Sequence, residues 1–272
     1  MAILLRMPSD RALVLRRFPY SESSLVVRAL TRDHGRVHIL ARGAYRMQSR
    51  YFGVLDLFDE LELEWRQSPR RELAELRKGD VGRRRRPLRE DLARYRAGVA
   101  MLELADFGSR PGRSDTPLFE LLSASLERLC DLDRPPDAAL VVFQLGFLQN
   151  HGLAPALARC AACDKQAPPT TLDAQRAHFS AGSGGRLCAA CAEDSRAAAR
   201  RVGTMPIAVL ADGEALLAEL REGRLPEPDA ISEPTRLLAL RDLTERFLDY
   251  HLDSTPKASR QFLATPNRNA RS

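Results

Sequence analysis

Three short strand signals follow one another in residues 12–41, which read ALVLRRFPYSESSLVVRALTRDHGRVHILA. Residues 12–15 and 24–31 are apolar or β-branched, and a polar segment separates them. Residues 33–36 have the composition of a tight turn, so residues 37–41 are predicted to return beside the second strand. The pattern predicts antiparallel β-structure in this part of the chain.

The clearest alternation lies over residues 55–65. One face carries four leucines and Trp65, and the other carries acidic residues, while Asp59 interrupts the apolar face and predicts a bulge. Residues 73–76 complete a set of about five short strands in roughly 80 residues, which favours a small barrel over a sandwich. Basic strands and loops on such a barrel are typical of the oligonucleotide-binding (OB) design.

Beyond Pro87 the apolar period changes to that of a helix. Apolar residues recur every three or four positions from Leu88 through Leu92 and Tyr95 to Ala105. Further helices are predicted from residue 116 to about 132, from residue 136 onward, and over 205–221 and 234–252. A helical region therefore follows the predicted barrel.

Four of the five cysteines form a doubled CxxC pattern, Cys160 with Cys163 and Cys188 with Cys191. Each pair can place two thiolates on a tetrahedral Zn²⁺, and four thiolates leave no open coordination position, so a structural metal is predicted. Disulfides and a redox role are disfavoured, because nothing in the sequence indicates export and a redox site usually needs only one pair. The remaining Cys130 is predicted to be a core residue.

The charge is strongly biased toward arginine. The 272 residues carry 42 basic and 36 acidic side chains, a net charge of +6, and only Lys78, Lys165 and Lys257 are lysines. Residues 1–50 hold ten arginines against three acids, residues 83–86 are all arginine, and the tail from 254 has no acid. Guanidinium binds phosphate in a bidentate fork, so these clusters favour a polyanionic partner. For any one cluster a solvated surface is the alternative, and the run at 83–86 could simply join domains.

Candidate DNA-binding residues lie on the barrel strands and on the loop after the third strand. They are Arg16, Arg17, Arg28, Arg36, Arg42, Tyr45, Arg46 and Arg50. Phosphate contacts would dominate, so affinity should fall steeply with salt and depend little on sequence. Tyr45 could either stack on a base or pack against the barrel rim.

Motifs for common enzyme chemistry are missing from the sequence. There is no GxxxxGK[ST], GxGxxG, HExxH or GxSxG pattern, and the five histidines are scattered. We expect a binding protein and not an enzyme. No run of 18 apolar residues and no secretory pattern is found, so the expected location is the cytoplasm.

The segment from Phe18 to Arg50 resembles that of a known family. It reads FPYSESSLVVRALTRDHG at 18–35, then ARGAYR at 41–46 and SR at 49–50. The acidic strand ending at Trp65, the helical region, and the doubled CxxC after HFS at 178–180 and GG at 184–185 follow the same layout. Apart from the basic tail beyond residue 254, the chain resembles the bacterial RecO family of recombination mediators over nearly its full length.

The resemblance agrees with an α+β fold, in which an N-terminal five-stranded OB-fold barrel is followed by an α-helical domain with a zinc-binding insert. The predicted boundaries are residues 1–82 for the OB-fold DNA-binding domain, 83–159 and 200–253 for the helical domain, 160–195 for the four-cysteine zinc-binding insert, and 254–272 for a flexible basic tail. Zn²⁺ is the expected cofactor, in a structural role.

The resemblance also implies a function. It implies a recombinational DNA repair mediator, nucleoid-associated, that binds single- and double-stranded DNA and anneals complementary strands. With RecR, and with or without RecF, it would promote RecA loading on DNA coated by single-stranded-DNA-binding protein (SSB), whose acidic C-terminal tail would enter a pocket between helices. A zinc-ribbon adaptor that contacts nucleic acid weakly is the alternative, and a nuclease is a third hypothesis.

Overall fold

The computed structural model describes residues 7–67, 72–168, 175–227 and 230–252. These residues fall into two compact units, of which the first ends at Asp131 and the second begins at Leu132. The predicted tail at 254–272 lies outside the described residues. Within the described ranges, no helix combines the length and apolar character that crossing a lipid bilayer requires.

A closed five-stranded barrel opens the first unit, which confirms the predicted barrel. Its strands are β1 (Ser9–Pro19), β2 (Leu25–Thr31), β3 (Gly35–Ala41), β4 (Glu60–Arg66) and β5 (Ala74–Arg83). They are hydrogen-bonded in the order β1-β2-β3-β5-β4, and β4 pairs back onto β1 to close the barrel. All pairs are antiparallel except β3 with β5, which run parallel.

Alternation along the strands fills the barrel interior with apolar side chains. Val14, Val27, Ile39, Leu61 and Leu63 belong to one buried cluster, while neighbouring positions along each strand face outward. A barrel of this size is filled by its own side chains and has no channel. Any ligand must therefore bind on its outer face or its loops.

The predicted strand over residues 55–65 is wrong in its first half, because β4 begins only at Glu60. Phe58 has a φ of 74°, which lies outside the β region, and the buried Asp59 accepts a hydrogen bond from the backbone N–H of Arg85 at 2.9 Å. Leu55 still reaches the barrel core, but from a loop of turns. Alternation in sequence does not distinguish such a loop from a strand.

Three helices complete the described part of the first unit. They are α1 (Pro87–Glu90), α2 (Leu92–Gly108) and α3 (Thr116–Arg128). The side chain of Asp91 accepts a hydrogen bond from the N–H of Arg94 at the start of α2, and Asp115 caps Leu118 in α3 in the same way. Each cap satisfies a backbone donor that the first helical turn leaves without a partner.

The predicted apolar period of α2 is wrong at Leu92, which is 64% exposed. Tyr95 is partly exposed, but its ring packs edge-on against that of Phe58, with 5.4 Å between the ring centres. The Asp91 cap separates α1 from α2, so the apolar phase of α1 does not continue into α2. The barrel-facing side of α2 is instead marked by Gly98, where a Cβ would lie 2.8 Å from the ring of Phe58.

A buried arginine ties α3 to the segment before β4. Arg85 is 1% exposed, and its guanidinium donates to the carbonyl of Phe58 at 2.7 Å and to the carbonyl of Ser123 at 3.2 Å. It also pairs with the carboxylate of Glu127 at 3.2 Å. The three helices therefore belong with the barrel, which differs from the predicted domain boundary after residue 82.

Neighbouring arginines of the run at 83–86 also contact α3 and the segment before β4. Arg83 pairs with Glu127 at 3.1 Å, and Arg84 lies 3.5 Å from the buried carboxylate of Asp59. Arg89 pairs with that same carboxylate at 2.8 Å. The structure therefore favours the interpretation in which this run joins elements over the one in which it offers a free cationic surface.

The second unit is a helical core with a small sheet inserted in it. In chain order its elements are α4 (Pro136–Asn150), β6 (Arg176–Ser180), β7 (Gly185–Leu187), α5 (Ala189–Ala197), β8 (Gly203–Pro206), α6 (Ile207–Arg221) and α7 (Pro234–His251). Residues of α4, α6 and α7, among them Val141, Leu210 and Leu240, form its core. The prediction that a helical domain follows the barrel is thus confirmed. The sheet β7-β6-β8 and the helix α5 are features that the sequence did not predict.

Replacing Arg85 by alanine is expected to lower the free energy of unfolding of the first unit by about 3 kcal/mol or more, because buried carbonyl and carboxylate groups lose their donor. Urea unfolding followed by the fluorescence of Trp65, the single tryptophan and a barrel-core residue, measures this. The exposed neighbour Arg86→Ala removes the same charge and should change stability by less than about 0.5 kcal/mol. Equal effects of the two variants would contradict this role of Arg85.

Candidate nucleic-acid interface and metal centre

A groove lies where β3 ends, beside the start of β5. Its volume is about 470 Å³, and its walls include Arg42, Arg46 and Arg50 from the loop after β3 and Arg77 from β5. The sequence prediction did not include Arg77, because the parallel pairing of β3 with β5 that brings it here is a tertiary feature. Three of the predicted DNA-binding residues thus meet in one place.

The loop that carries these arginines is fixed to the turn between β1 and β2. The backbone N–H of Gly43 donates to Oγ of Ser24 at 3.3 Å, and the N–H of Tyr45 donates to the carbonyl of Ser23 at 3.0 Å. Gly43 has a φ of 67°, a left-handed conformation that glycine adopts without strain. The start of the loop therefore has a defined path out of β3.

The charges of the groove are only partly neutralised. Glu75 is the one acidic residue among the described residues of its walls, and it pairs with Arg77 at 2.9 Å and lies 3.7 Å from Arg42. Arg46 has no carboxylate partner among the described residues, and Arg50 is held by the carbonyl of Arg77 at 2.6 Å. Four guanidinium groups against one carboxylate give the groove a surplus of three positive charges, which suits a polyanion.

Exposed apolar side chains stand on the same loop. Met47 is 91% exposed, Phe52 is 63% exposed and Tyr45 is 40% exposed. Aromatic rings beside guanidinium groups are the usual stacking platform for unpaired bases. The sequence singled out Tyr45 but missed Phe52 and Met47, because neither exposure nor proximity can be read from a stretch without a periodic pattern.

The predicted residues on the strands do not extend this groove. Arg16, Arg28 and Arg36 converge on one buried carboxylate, that of Asp106 in α2, at 2.9, 2.7 and 3.3 Å respectively. Arg17 pairs with Asp56 at 2.7 Å. The eight predicted residues therefore divide into a loop set at the groove, a set around Asp106, and Arg17.

The four cysteines of the doubled CxxC pattern come together in the second unit. The sulfur atoms of Cys160, Cys163, Cys188 and Cys191 all lie within 4.8 Å of one another, and those of Cys163 and Cys188 are 3.9 Å apart. Tetrahedral coordination with metal–sulfur bonds of about 2.3 Å places sulfur atoms about 3.8 Å apart. The cluster could therefore hold one metal ion.

Two tight turns bring these sulfur atoms together. The first pair sits in a turn where the N–H of Asp164 donates to the carbonyl of Cys160 at 2.9 Å and Asp164 itself has a φ of 58°. In the second pair, Cys188 precedes α5 and Cys191 lies in its first turn. The site is thus built from one knuckle and one helix start.

The ionisation of these thiols also suits a cation. Burial acts to raise the pKa of Cys160, but backbone N–H groups, first that of Cys188, outweigh it and lower the pKa to about 6. Hydrogen bonds with the neighbouring sulfur atoms, first that of Cys188, raise the pKa of Cys191 to about 12. The site thus favours the thiolate of Cys160 and disfavours that of Cys191, and a bound metal ion would supply the positive charge that stabilises both as thiolates.

These features define a class of protein: a basic two-unit protein with an OB-like closed barrel, an arginine-lined loop groove, and a helical unit that carries a four-cysteine site. Sequence profiles named Recombination protein O N terminal and Recombination protein O C terminal match residues 5–83 and 89–261. The chain belongs to the RecO family of DNA repair proteins.

Individual relatives agree with this assignment. A DNA repair protein RecO from Anaeromyxobacter dehalogenans (strain 2CP-1 / ATCC BAA-258) is 38% identical over 261 residues, which cover 93% of this chain and 96% of the relative. A DNA repair protein RecO from Anaeromyxobacter sp. (strain Fw109-5) is 35% identical over 254 residues, which cover 92% and 93%. The similarity therefore extends across both units.

Replacing Cys163 by serine is expected to reduce the bound metal from about one ion per chain to well below that, because serine is a poor ligand for the metals that thiolates select. Elemental analysis of the purified protein measures the content. The matched control is Cys130→Ser, since the thiol of Cys130 lies outside the cluster and donates to the carbonyl of Leu126 at 3.4 Å. Metal content unchanged by Cys163→Ser would exclude this site.

Proposed function

We propose that the protein is a recombinational DNA repair mediator that binds single- and double-stranded DNA and anneals complementary strands. With RecR, and with or without RecF, it promotes the loading of RecA on DNA coated by SSB. It acts as a binding protein and not as an enzyme, in the cytoplasm on nucleoid DNA. Family membership supports the class of function, and the arginine-lined groove on the first unit is the observation that carries DNA binding.

The groove binds the DNA backbone through its guanidinium groups. Arg46 has no carboxylate partner among the described residues, and Arg42 shares Glu75 with Arg77, so positive charge remains in the groove. Arg50 is oriented by its contact with the ring of Tyr51, 4.9 Å from its centre. Phosphate contacts of this kind carry no sequence information and weaken as salt rises. The exposed rings of Tyr45 and Phe52 stack on unpaired bases, which favours single strands.

Annealing follows from the same physics. Two phosphate backbones repel each other, and a cationic surface that holds both lowers this repulsion without nucleotide hydrolysis. The reaction therefore needs no ATP. An ATP requirement of the purified protein would contradict this mechanism.

Zinc is the metal that we propose for the cysteine cluster. Four thiolates at tetrahedral spacing are the usual ligand set of structural Zn²⁺, and they leave no position for a substrate. Cys160 packs with Ala167, Leu187 and Ala192 in a cluster too small to hold the insert by itself. The metal's function is thus to stabilise the insert in the second unit.

A groove in the second unit suits the acidic tail of SSB. Its volume is about 1050 Å³, and Phe179, Met205 and Leu243 are among its apolar walls. Arg200 and Arg201 stand exposed at its border, with no carboxylate partner among the described residues. Unpaired guanidinium groups at the border of such a groove fit an acidic peptide.

The variant Arg42→Ala/Arg46→Ala is expected to weaken binding of a single-stranded oligonucleotide by about tenfold or more at low salt. The slope of log K against log salt should fall by about 1.4, since each phosphate contact on a single strand contributes about 0.7. Fluorescence anisotropy over a salt series measures both. The variant Arg221→Ala/Arg224→Ala removes two guanidinium groups from the second unit and should bind as the parent protein does. Salt-insensitive binding would remove the mechanism.

The variant Arg200→Ala/Arg201→Ala is expected to weaken binding of a labelled SSB C-terminal peptide by about tenfold, because the carboxylates lose their partners at the groove. Anisotropy titration measures this, with Arg221→Ala/Arg224→Ala as the control of equal charge change. The DNA affinity of the same variant should stay within about twofold of the parent. Full binding of SSB that lacks its tail would reject this contact.

A further inference from the structure

The outer face of the barrel carries a second concentration of arginine, away from the loop groove. In the register of the sheet, Arg16 of β1 lies opposite Arg28 of β2, which lies opposite His38 of β3. Arg36 precedes His38 by two residues and thus shares its face of β3. A single row across three strands therefore presents basic side chains to one place on the surface.

Three guanidinium groups on this face of the barrel share one carboxylate. Asp106, at the end of α2, is buried and pairs with Arg16, Arg28 and Arg36, and its carbonyl also accepts from Arg36 at 2.6 Å. Three positive charges against one negative charge leave a surplus of two. Asp106 orients the three side chains but does not neutralise them.

Buried nitrogen atoms of this cluster have no hydrogen-bond partner within the described chain. They are Nε of Arg28, Nε of Arg36 and Nε2 of His38. Burial, then Arg28 and Arg36, lowers the pKa of His38 against the opposing effects of Asp106 and Glu72. The guanidinium groups of Arg28 and Arg36 therefore make the surroundings of His38 electropositive, and a positive surplus of this kind favours an anion.

Two further arginines flank the cluster from the loop after α2. The N–H of Arg36 donates to the carbonyl of Arg110 at 3.1 Å, and the N–H of Gly112 donates to the carbonyl of Arg36 at 3.3 Å. Arg110 and Arg113 are exposed, and neither has a carboxylate partner among the described residues. The sequence prediction missed both, because they lie in a short polar loop about 70 residues beyond the end of β3.

The distance between this cluster and the loop groove follows from β3. Arg36 and Arg42 are six residues apart along an extended strand and its exit, which corresponds to about 20 Å at 3.3 Å per residue. The Debye length at physiological ionic strength is about 8 Å. Two backbones bound at the two places would therefore be screened from each other while held on one barrel.

We propose that the Asp106 cluster, made of Arg16, Arg28, Arg36, Arg110, Arg113 and Asp106, is a second binding surface for a nucleic-acid backbone. It holds the complementary strand while the loop groove holds the first strand. Two strands on one barrel meet at an effective concentration on the order of millimolar, which speeds their pairing. Asp106 is a positioning residue in this arrangement. The inference rests on the proposed DNA-binding function and assigns the two strands of that function to separate surfaces.

The experiment compares Arg110→Ala/Arg113→Ala with Arg42→Ala/Arg46→Ala, and uses Arg221→Ala/Arg224→Ala as the control of equal charge change. Three quantities are measured: anisotropy with one labelled oligonucleotide, capture of a second, non-complementary oligonucleotide by protein saturated with the first, and the rate of annealing of complementary strands. The mutated residues at 110 and 113 are exposed, so the fold should be preserved, and circular dichroism verifies this.

The variant at 110 and 113 is expected to bind the first strand within about twofold of the parent, yet to lose second-strand capture and about tenfold or more of the annealing rate. The variant at 42 and 46 should lose first-strand affinity. Parental annealing by the variant at 110 and 113, or equal loss of first-strand affinity by both variants, would overturn the second surface while leaving DNA binding intact. Failure of the parent protein itself to bind single strands would overturn the proposed function as well.

Discussion

The guanidinium group of Arg85 lies buried between β4 and α3, and its hydrogen bonds hold the segment before β4 against α3. A charged group buried this deeply persists only where its partners are fixed, since an unpaired buried charge costs several kcal/mol. One partner is the carbonyl of Phe58, where the long loop after β3 ends. The backbone N–H of Arg85 also holds Asp59. The loop that carries the groove arginines is therefore anchored at its start by Ser23 and Ser24 and at its end by this joint.

Arginine has two roles in this protein: some guanidinium groups stabilise the fold, and others present positive charge to a partner. The number of carboxylate and carbonyl partners of each group distinguishes the two roles. Arg83, Arg84 and Arg85 are engaged with carboxylates and carbonyls inside the first unit, so their charge is not offered to a partner. Arg46, Arg110 and Arg113 have no carboxylate partner in the described ranges, so their charge remains available to a partner. The three guanidinium groups around Asp106 share one carboxylate, so part of their charge also remains available. A guanidinium can do either, because its five donors suit both a buried network and a phosphate. Net charge alone does not tell the two apart.

The sequence predicted those features that local pattern determines. Alternation and turn composition gave β1 to β3, and the doubled CxxC gave the four cysteines that meet in the second unit. Prediction failed where a distant residue decides the outcome. The strand at 55–65 begins late because Asp59 bonds to Arg85, 26 positions away, and Arg28 is turned to Asp106, 78 positions away. The strand β7 has three residues, too few to show any period. The candidate DNA-binding side chains were thus found by residue type, but their division into the loop set, the set around Asp106 and Arg17 was not predicted.

The β2–β3 turn packs so closely against the loop after α2 that this distant stretch of sequence restricts which residue can occupy position 35. Gly35 has a φ of 70°, and a Cβ added there would lie 2.1 Å from the carbonyl oxygen of Arg113. Any side chain at position 35 would thus require the loop to withdraw, and the positive φ would strain that side chain even then. Homologues should therefore keep the glycine whatever the length of the loop. A substitution at position 35 that left the loop in place would press a Cβ against backbone at the edge of the barrel.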